Sequence, residues 1–212
     1  MSARPITFPP RLERLTLAVV ILLLGACSVL GPRPAQRSVT PAEADQFELS
    51  GRINLRVADG AFPGRVLWRH DPALDELAFS SPIGTSVARM RQGPEGAWLI
   101  TSDGEQHEAE DLRALAAEVL DWDLPIDALP YWVRGLEWPG AQAQVERDEE
   151  GRPRTLHQAG WTVSYLAWDG AGVRGLPWKL DVAGDRLRMR LVIERWNLDA
   201  GAGGQDAIAE QR

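Results

Sequence analysis

The chain of 212 residues has few of the side chains that catalysis or metal binding requires: one cysteine, Cys27, and three histidines. The histidines, His70, His107 and His157, are scattered and lack spacings such as H-x3-H or H-E-x-x-H, which place two ligands on one metal ion. The sequence also lacks a G-x-S-x-G turn, a phosphate-binding loop and a dinucleotide fingerprint. Carboxylates are plentiful, but those of residues 146–154 (ERDEEGRPR) are typical of a solvated hairpin tip. An enzyme or a metalloprotein is therefore disfavoured.

Long hydrophobic runs are also scarce. The apolar run Leu15–Leu24 follows Arg4, Arg11 and Arg14. At about ten residues it is too short for a membrane-spanning helix, which needs ~20, and it is typical of a secretory signal. Two small residues and Cys27 come next, and this LGAC ending resembles the bacterial lipoprotein signal, which is cleaved before a lipid-modified cysteine. The alternative is an ordinary signal peptide followed by an incidental thiol, but a single unpaired thiol in an exported protein favours the lipid anchor.

An excess of positive charge is absent too. Removal of residues 1–26 would leave 20 Lys and Arg against 29 Asp and Glu, a formal charge of −9. An acidic chain lacks the electrostatic footprint of a nucleic-acid-binding protein, and an anionic bilayer would repel it. Membrane attachment must then come from the covalent acyl and diacylglycerol groups on Cys27, and no other cofactor is expected. Ser28, where an aspartate would favour the inner membrane, resembles the outer-membrane class of lipoproteins.

Four segments are predicted along the chain. Residues 1–26 form the cleaved signal peptide, and residues 27–45, which are rich in proline, alanine and polar side chains, form a lipidated flexible tether. Residues 46–199 carry the periodic patterns of one folded domain, and residues 200–212 form a frayed tail. With no disulfide available, packing alone must stabilise the folded domain.

Alternation of apolar and polar residues dominates the folded segment. In Gly51–Val57 the apolar residues Ile53, Leu55 and Val57 alternate with polar ones, which predicts a half-buried strand. Similar short runs follow one another, separated by turn sequences at residues 59–64 (DGAFPG), Asp148–Gly151 and Ala183–Asp185. About ten strands in an antiparallel meander are therefore expected.

Two helical patterns interrupt the strands. Glu108–Trp122 has apolar residues at helical spacing and acidic residues in its first predicted turn, where the helix dipole favours them. A second helical piece has Pro125 near its start and Gly135 as its stop, and Pro130 is expected to kink or restart it.

These patterns predict a mainly β (α+β) fold, in which one large curved antiparallel sheet forms an incomplete barrel under a small helical lid. The inward face of such a sheet is too extensive for one or two short helices to fill, so an apolar cavity of ligand size would remain. A well-packed sandwich would show the same alternation and stays open as an alternative.

The loop in residues 79–86 (FSSPIGTS) combines strong turn residues with one bulky aliphatic side chain. Ile83 lies between Pro82, which fixes φ, and Gly84, which supplies positive φ. The side chain could fold back over the sheet edge, but so stiff a turn leaves little room for that. A projecting apolar tip is therefore favoured.

Seven stretches of this chain resemble the outer-membrane lipoprotein-sorting receptor family LolB. One is the LGAC lipoprotein signal, and the other six follow one another in order over residues 47–198. The resemblance implies a half-barrel with a helical lid over an apolar cavity. It also implies that the protein receives acylated lipoproteins from the periplasmic carrier LolA and deposits them in the inner leaflet of the outer membrane. The protein is expected to be a monomer and to bind no nucleic acid. The matching stretches are LGAC, SGRINLRV, VLWRH, SSPIGTS, LPIDALPYWVRGL, GRPRTLHQAGWTVSYLAWD and LPWKLDV with RLRMRLVIERWNL.

The candidate site residues fall into three groups. Cys27 is the predicted lipid anchor, and Pro82, Ile83 and Gly84 form the predicted membrane-insertion loop, because the family carries one exposed aliphatic residue there. The third group is expected to line the cavity, although its members could equally form a solid core. These residues are Ile53, Leu55, Val57, Trp68, Phe79, Leu99, Trp122 and Trp132.

Two other functions remain open from the sequence. A lipoprotein of this shape could carry a small free lipid or glycolipid and never meet LolA. A structural lipoprotein with a solid core could instead act as a non-enzymatic scaffold in the cell envelope.

Overall fold

The computed structural model describes residues 44–57, 60–120, 125–170 and 175–198. Cys27, Trp122, the predicted signal peptide, nearly all of the predicted tether and the predicted tail lie outside these residues. Ala44, placed in the tether by the sequence prediction, is buried against the folded domain.

Eleven antiparallel strands form a single sheet. The spatial order is β6-β5-β4-β3-β2-β1-β11-β10-β9-β8-β7, so the edge strands β6 and β7 do not pair and the sheet does not close. The predicted mainly β fold with one incomplete barrel is thereby confirmed. The strands are β1 (Phe47–Val57), β2 (Gly60–Asp71), β3 (Leu74–Ser80), β4 (Ser86–Gly93), β5 (Gly96–Thr101), β6 (Gln106–Ala109), β7 (Ala143–Arg147), β8 (Pro153–Gln158), β9 (Trp161–Asp169), β10 (Leu176–Ala183) and β11 (Arg188–Asn197).

The first and last strands lie side by side in the middle of the sheet, where a β-bulge is needed. The register of β1 against β11 shifts between Ser50 and Gly51. At this point a Cβ on Gly51 would lie 2.2 Å from the carbonyl oxygen of Val192, so only glycine fits without displacing β11.

The turn predicted at residues 59–64 is wrong for Gly60–Gly64, which already belong to β2. These residues pair with β1 alone, because β3 first pairs with β2 at Arg65. The start of β2 is therefore an edge strand with one unpaired side. Pro63 is tolerated there because no neighbouring strand on that side needs an amide hydrogen from it.

Helix α1 (Leu112–Leu120) begins four residues later than the sequence predicts. Glu108 lies instead in the short strand β6, where it pairs with Trp98. The side chain of Asp111 accepts a hydrogen bond of 2.7 Å from the Ala114 amide, so this carboxylate caps the helix from outside its first turn. The acidic residues thus precede the helix and do not occupy its first turn.

The second helical piece has the predicted form. A 3₁₀ turn (Ile126–Ala128) leads into helix α2 (Leu129–Val133), and Pro130 lies in its first turn, where the missing amide costs nothing. Gly135, with φ of 80°, ends it. Among the described residues, neither helix is long and apolar enough to span a membrane.

Two clusters of buried side chains stabilise the fold. The larger one lies between α2 and strands β1, β2 and β8–β11, and the smaller one lies between α1 and strands β4 and β5. Leu77, Phe79 and Ile126 pack against both clusters. The cavity described below opens between them.

The β8–β9 turn offers a stabilising substitution. Ala159 (φ 52°) and Gly160 (φ 81°) both adopt the left-handed conformation of a two-residue hairpin turn, in which asparagine is favoured and alanine is strained. We expect Ala159→Asn to raise the free energy of unfolding by about 0.5–1 kcal/mol, measured by urea titration. Ala73→Asn, in the β2–β3 turn without positive φ, is the control. Equal effects of the two substitutions would contradict the strain at Ala159.

Candidate functional site

An apolar cavity of about 410 Å³ lies between the inner face of the sheet and the two helices. Its size falls in the range of small-molecule sites, roughly 300–1,000 Å³. Its wall is contributed by strands β1–β4 and β11 on one side and by α1, the 3₁₀ turn and α2 on the other. The apolar side chains of the wall include Leu49, Ile53, Leu55, Val66, Trp68, Leu77, Phe79, Met90, Leu112, Ala116, Leu129, Val133, Met189 and Leu191.

Four of the predicted cavity residues lie on this wall: Ile53, Leu55, Trp68 and Phe79. Each occupies an inward position of its strand, because side chains alternate between the two faces of a sheet. Their neighbours across the strands, such as Leu191 opposite Ile53, also face the cavity.

The other predicted cavity residues lie elsewhere, and Trp122 is outside the described residues. Val57 is 38% exposed, because β1 runs past the cavity before it ends. Leu99 faces inward, but α1 covers it and it packs against Leu112 and Leu115 in the smaller cluster. Trp132 is fully buried with its indole directed towards β8, away from the cavity.

The polar groups that the strands contribute to the cavity wall gather at one end. His70, Asp75 and Gln92 pair side by side across β2, β3 and β4, in the same row as Phe47 at the start of β1. The indole Nε1–H of Trp68 donates to Asp75 Oδ1 at 2.7 Å, and His70 Nδ1 lies 2.8 Å from the same oxygen. The opposite end of the wall, around Leu55 and Met189, is apolar, so the cavity is amphipathic along its length.

Arg134 is a buried cation at this polar end, and it is not among the site residues that the sequence predicts. The side chain is 6% exposed; Nε donates to the Pro130 carbonyl at 2.7 Å, and Nη1 donates to the carbonyl of Ala44. Its guanidinium also lies over the rings of Phe47 and Tyr131. Burial lowers the pKa of Arg134, and the charge of Asp45 acts in the opposite direction. An arginine within the apolar stretch PYWVRGL was the only sequence signal for it.

Helix α2 is fixed to the sheet through Gln158, whose carboxamide is 3% exposed and fully hydrogen-bonded. Its Oε1 accepts from Trp132 Nε1 at 2.8 Å and from the Trp138 amide at 3.0 Å. Its Nε2 donates to the carbonyls of Trp138 and Ala141 at 2.6 and 2.7 Å. The Tyr165 hydroxyl also donates to the Trp132 carbonyl at 2.9 Å, and burial raises the pKa of Tyr165. These bonds hold one wall of the cavity in place.

The β3–β4 loop projects Ile83 into solvent. Ile83 is 91% exposed, so it does not fold back over the sheet edge. The Ser81 amide donates to the Thr85 carbonyl at 2.8 Å, and the Gly84 amide donates to the Ser81 carbonyl at 2.9 Å. Gly84 has φ of 93°, which closes the turn behind the tip. The loop therefore presents one rigid aliphatic knob.

Comparison with known proteins gives consistent matches over most of the chain. Residues 45–196 match the family model described as "Outer membrane lipoprotein LolB". An outer-membrane lipoprotein LolB of Azoarcus sp. (strain BH72) is 38% identical over 176 residues, which cover 83% of this chain and 90% of the relative. That of Alkalilimnicola ehrlichii is 37% identical over 198 residues, covering 89% and 98%. A crystal structure of a LolA superfamily protein from Nitrosomonas europaea superposes with a TM-score of 0.46 at 11% identity, covering 78% of this chain and 93% of that one.

Removing the carboxamide of residue 158 should destabilise the fold strongly. Gln158→Leu would leave the indole N–H of Trp132 and the main-chain groups of Trp138 and Ala141 without partners, and each buried unpaired group costs about 1–3 kcal/mol. We expect the free energy of unfolding to fall by at least about 3 kcal/mol in urea titrations. The control is Gln144→Leu on the exposed face of β7, expected within about 0.5 kcal/mol of the parent. A loss below about 1 kcal/mol for Gln158→Leu would refute the anchoring role.

Proposed function

Since this chain belongs to the outer membrane lipoprotein LolB family, we propose that its cavity holds the acyl chains of lipoprotein cargo and that the Ile83 loop enters the bilayer. The family is one of non-enzymatic outer-membrane receptors, which accept lipoproteins from the carrier LolA and insert them into the outer membrane. The residues that perform these steps in this chain are the subject of the proposal.

The apolar cavity is the observation that carries the proposal. Burial of one methylene group is worth about 0.8 kcal/mol, so an acyl chain of about sixteen carbons represents about 12 kcal/mol in water. Release of such a chain into the periplasm would be far too slow for transfer. Continuous apolar contact, from carrier to receptor to bilayer, avoids that barrier, and no nucleotide is needed if each site binds the chains more favourably than the one before.

The polarity of the cavity wall suggests how cargo lies in it. Acyl chains fit the apolar rows around Ile53, Leu55 and Met189. The ester and amide groups next to the cargo's lipid-modified cysteine are hydrogen-bonding groups, and they fit the end with His70 and Asp75.

Ile83 is the proposed contact with the bilayer. The acidic folded domain gains no general attraction to an anionic surface, so an apolar group must supply the contact. Burial of one isoleucine side chain is worth about 1.5–3 kcal/mol. That is enough to favour a loop position in the acyl region, yet small enough to be reversible after each delivery.

Filling the cavity should weaken acyl binding. Ala116 lies on the cavity wall, so the phenyl ring of Ala116→Phe would take space from about two or more methylene groups of a ligand and weaken binding by roughly tenfold. The measurement is uptake of an environment-sensitive fluorescent fatty acid, followed by uptake of an acylated lipoprotein from loaded LolA. Ala117→Phe, on the exposed face of α1, is the matched control. Equal uptake by both variants would contradict the cavity assignment, and uptake of free lipid without lipoprotein would favour a small-lipid carrier.

A charge at the loop tip should block delivery and leave acceptance intact. Ile83→Glu removes an apolar side chain that is 91% exposed, so stability and uptake from LolA should stay unchanged. Delivery of cargo into liposomes should slow at least about tenfold, because a carboxylate is costly to place among acyl chains. The control is the same change at Ile100, which is exposed on the outer face of β5. Normal delivery by Ile83→Glu would rule out the loop assignment.

A further inference from the structure

The outer face of the central strands carries arginines that are matched by carboxylates. Glu194 on β11 bridges Arg52 at 2.9 Å and Arg65 at 2.7 Å, across three adjacent strands. One strand further, Arg190 forms a two-pronged pair with Asp181 at 2.7 and 2.6 Å. In this part of the sheet, the strand register places a carboxylate beside each of these arginines, so the positive charge is neutralised locally.

Arg56 and Arg188 depart from this arrangement. They lie directly opposite each other on β1 and β11, and both side chains are exposed on the outer face. Their next neighbours across the sheet, Ala61 and Ala183, are uncharged. Among the described residues, which exclude the adjoining positions 58–59, no carboxylate forms an ion pair with either guanidinium. The side chain of Arg56 donates from Nε to Asn54 Oδ1 at 3.3 Å.

Such a pair is unfavourable without a counter-ion. Like charges directly opposite in an antiparallel pair destabilise the sheet, and their Cβ atoms lie about 4.5–5.5 Å apart. This spacing allows both guanidiniums to reach one tetrahedral anion. Arginine binds phosphate through two parallel N–H donors and sheds its hydration more readily than lysine.

The pair lies towards the same end of the sheet as the Ile83 loop. Arg52 pairs with Arg65, and Arg65 pairs with Ser80, the residue at which β3 ends and the loop begins. Arg56 lies four residues further along β1, about 13 Å past this row in the direction in which the loop also projects.

We propose that Arg56 and Arg188 together bind the phosphate of an anionic phospholipid when Ile83 enters the bilayer, and this inference rests on the proposed function of the Ile83 loop. The acidic domain as a whole is repelled by an anionic surface, and the pair supplies a local attraction that opposes this repulsion. The pair would therefore favour orientations with the Ile83 end towards the membrane, because its attraction acts at that end of the sheet.

The test uses the acylated full-length mature protein reconstituted in liposomes, with an environment-sensitive dye attached at Thr85→Cys beside the intact Ile83. Vesicles contain phosphatidylcholine alone or with about 30 mol% phosphatidylglycerol. In the parent, the anionic lipid should raise the equilibrium constant for dye insertion about tenfold or more, since each basic residue near such a surface contributes about fivefold at low salt. Salt at about 1 M should abolish this gain, because the Debye length falls to about 3 Å.

Two double variants decide the assignment. Arg56→Gln with Arg188→Gln should lose the response to phosphatidylglycerol and keep the insertion seen in phosphatidylcholine. Arg154→Gln with Arg195→Gln removes the same charge from exposed positions away from the pair, one on β8 and one opposite Ser50 on β11, and should respond as the parent does.

Three results would overturn the proposal. Equal insertion of the parent dye with and without phosphatidylglycerol would refute the phosphate site alone, whereas no insertion into either vesicle would refute the Ile83 assignment as well. An unchanged dye response with poor cargo uptake from LolA by the Arg56 and Arg188 variant would assign the pair to a protein partner instead of lipid.

Discussion

The structure depends on one mismatch of area: the inner face of an eleven-stranded sheet is larger than two short helices can cover. Burial of apolar surface favours curvature of the sheet around the helical elements. These are nine residues of α1, five of α2 and one 3₁₀ turn. The remainder of the inner face lines a cavity with apolar side chains. A ligand that occupies this cavity removes their apolar surface from water, which is favourable.

Much of this arrangement follows from local sequence patterns. Period-2 alternation identifies Ile53 and Leu55 as inward residues, and the Pro–Ile–Gly sequence of the loop predicts a stiff turn with an aliphatic tip. The same pattern does not show where a strand extends beyond the barrel, so it predicts an inward Val57 although that residue is exposed. It also does not say what covers an inward residue, and Leu99 lies under α1.

Other features are tertiary and have no local signature. Trp132 lies on a helix whose apolar residues point in two directions, and only its pairing with Gln158 shows which side faces the cavity. The four residues of β6 are too few to override a neighbouring helical pattern, so the start of α1 was predicted too early. Arg134 interacts with Ala44, 90 positions away in the chain, and such a contact is visible only in the folded protein.

The two helices are attached to the sheet by different kinds of interaction, and this determines which side of the cavity is compliant. Directional hydrogen bonds through Gln158 and Tyr165 fix α2, and they tolerate only small displacements before they are lost. Helix α1 has one such bond at its first residue, where the Leu112 amide donates to Gln92 Oε1 at 2.8 Å. The rest of α1 lies on Met90, Ala97 and Leu99 through apolar contacts, which are non-directional and permit sliding at little cost. The two walls thus differ in stiffness, because several hydrogen bonds fix α2 whereas most of α1 lies on apolar contacts. We expect a ligand that exceeds the cavity to displace α1 more readily than α2.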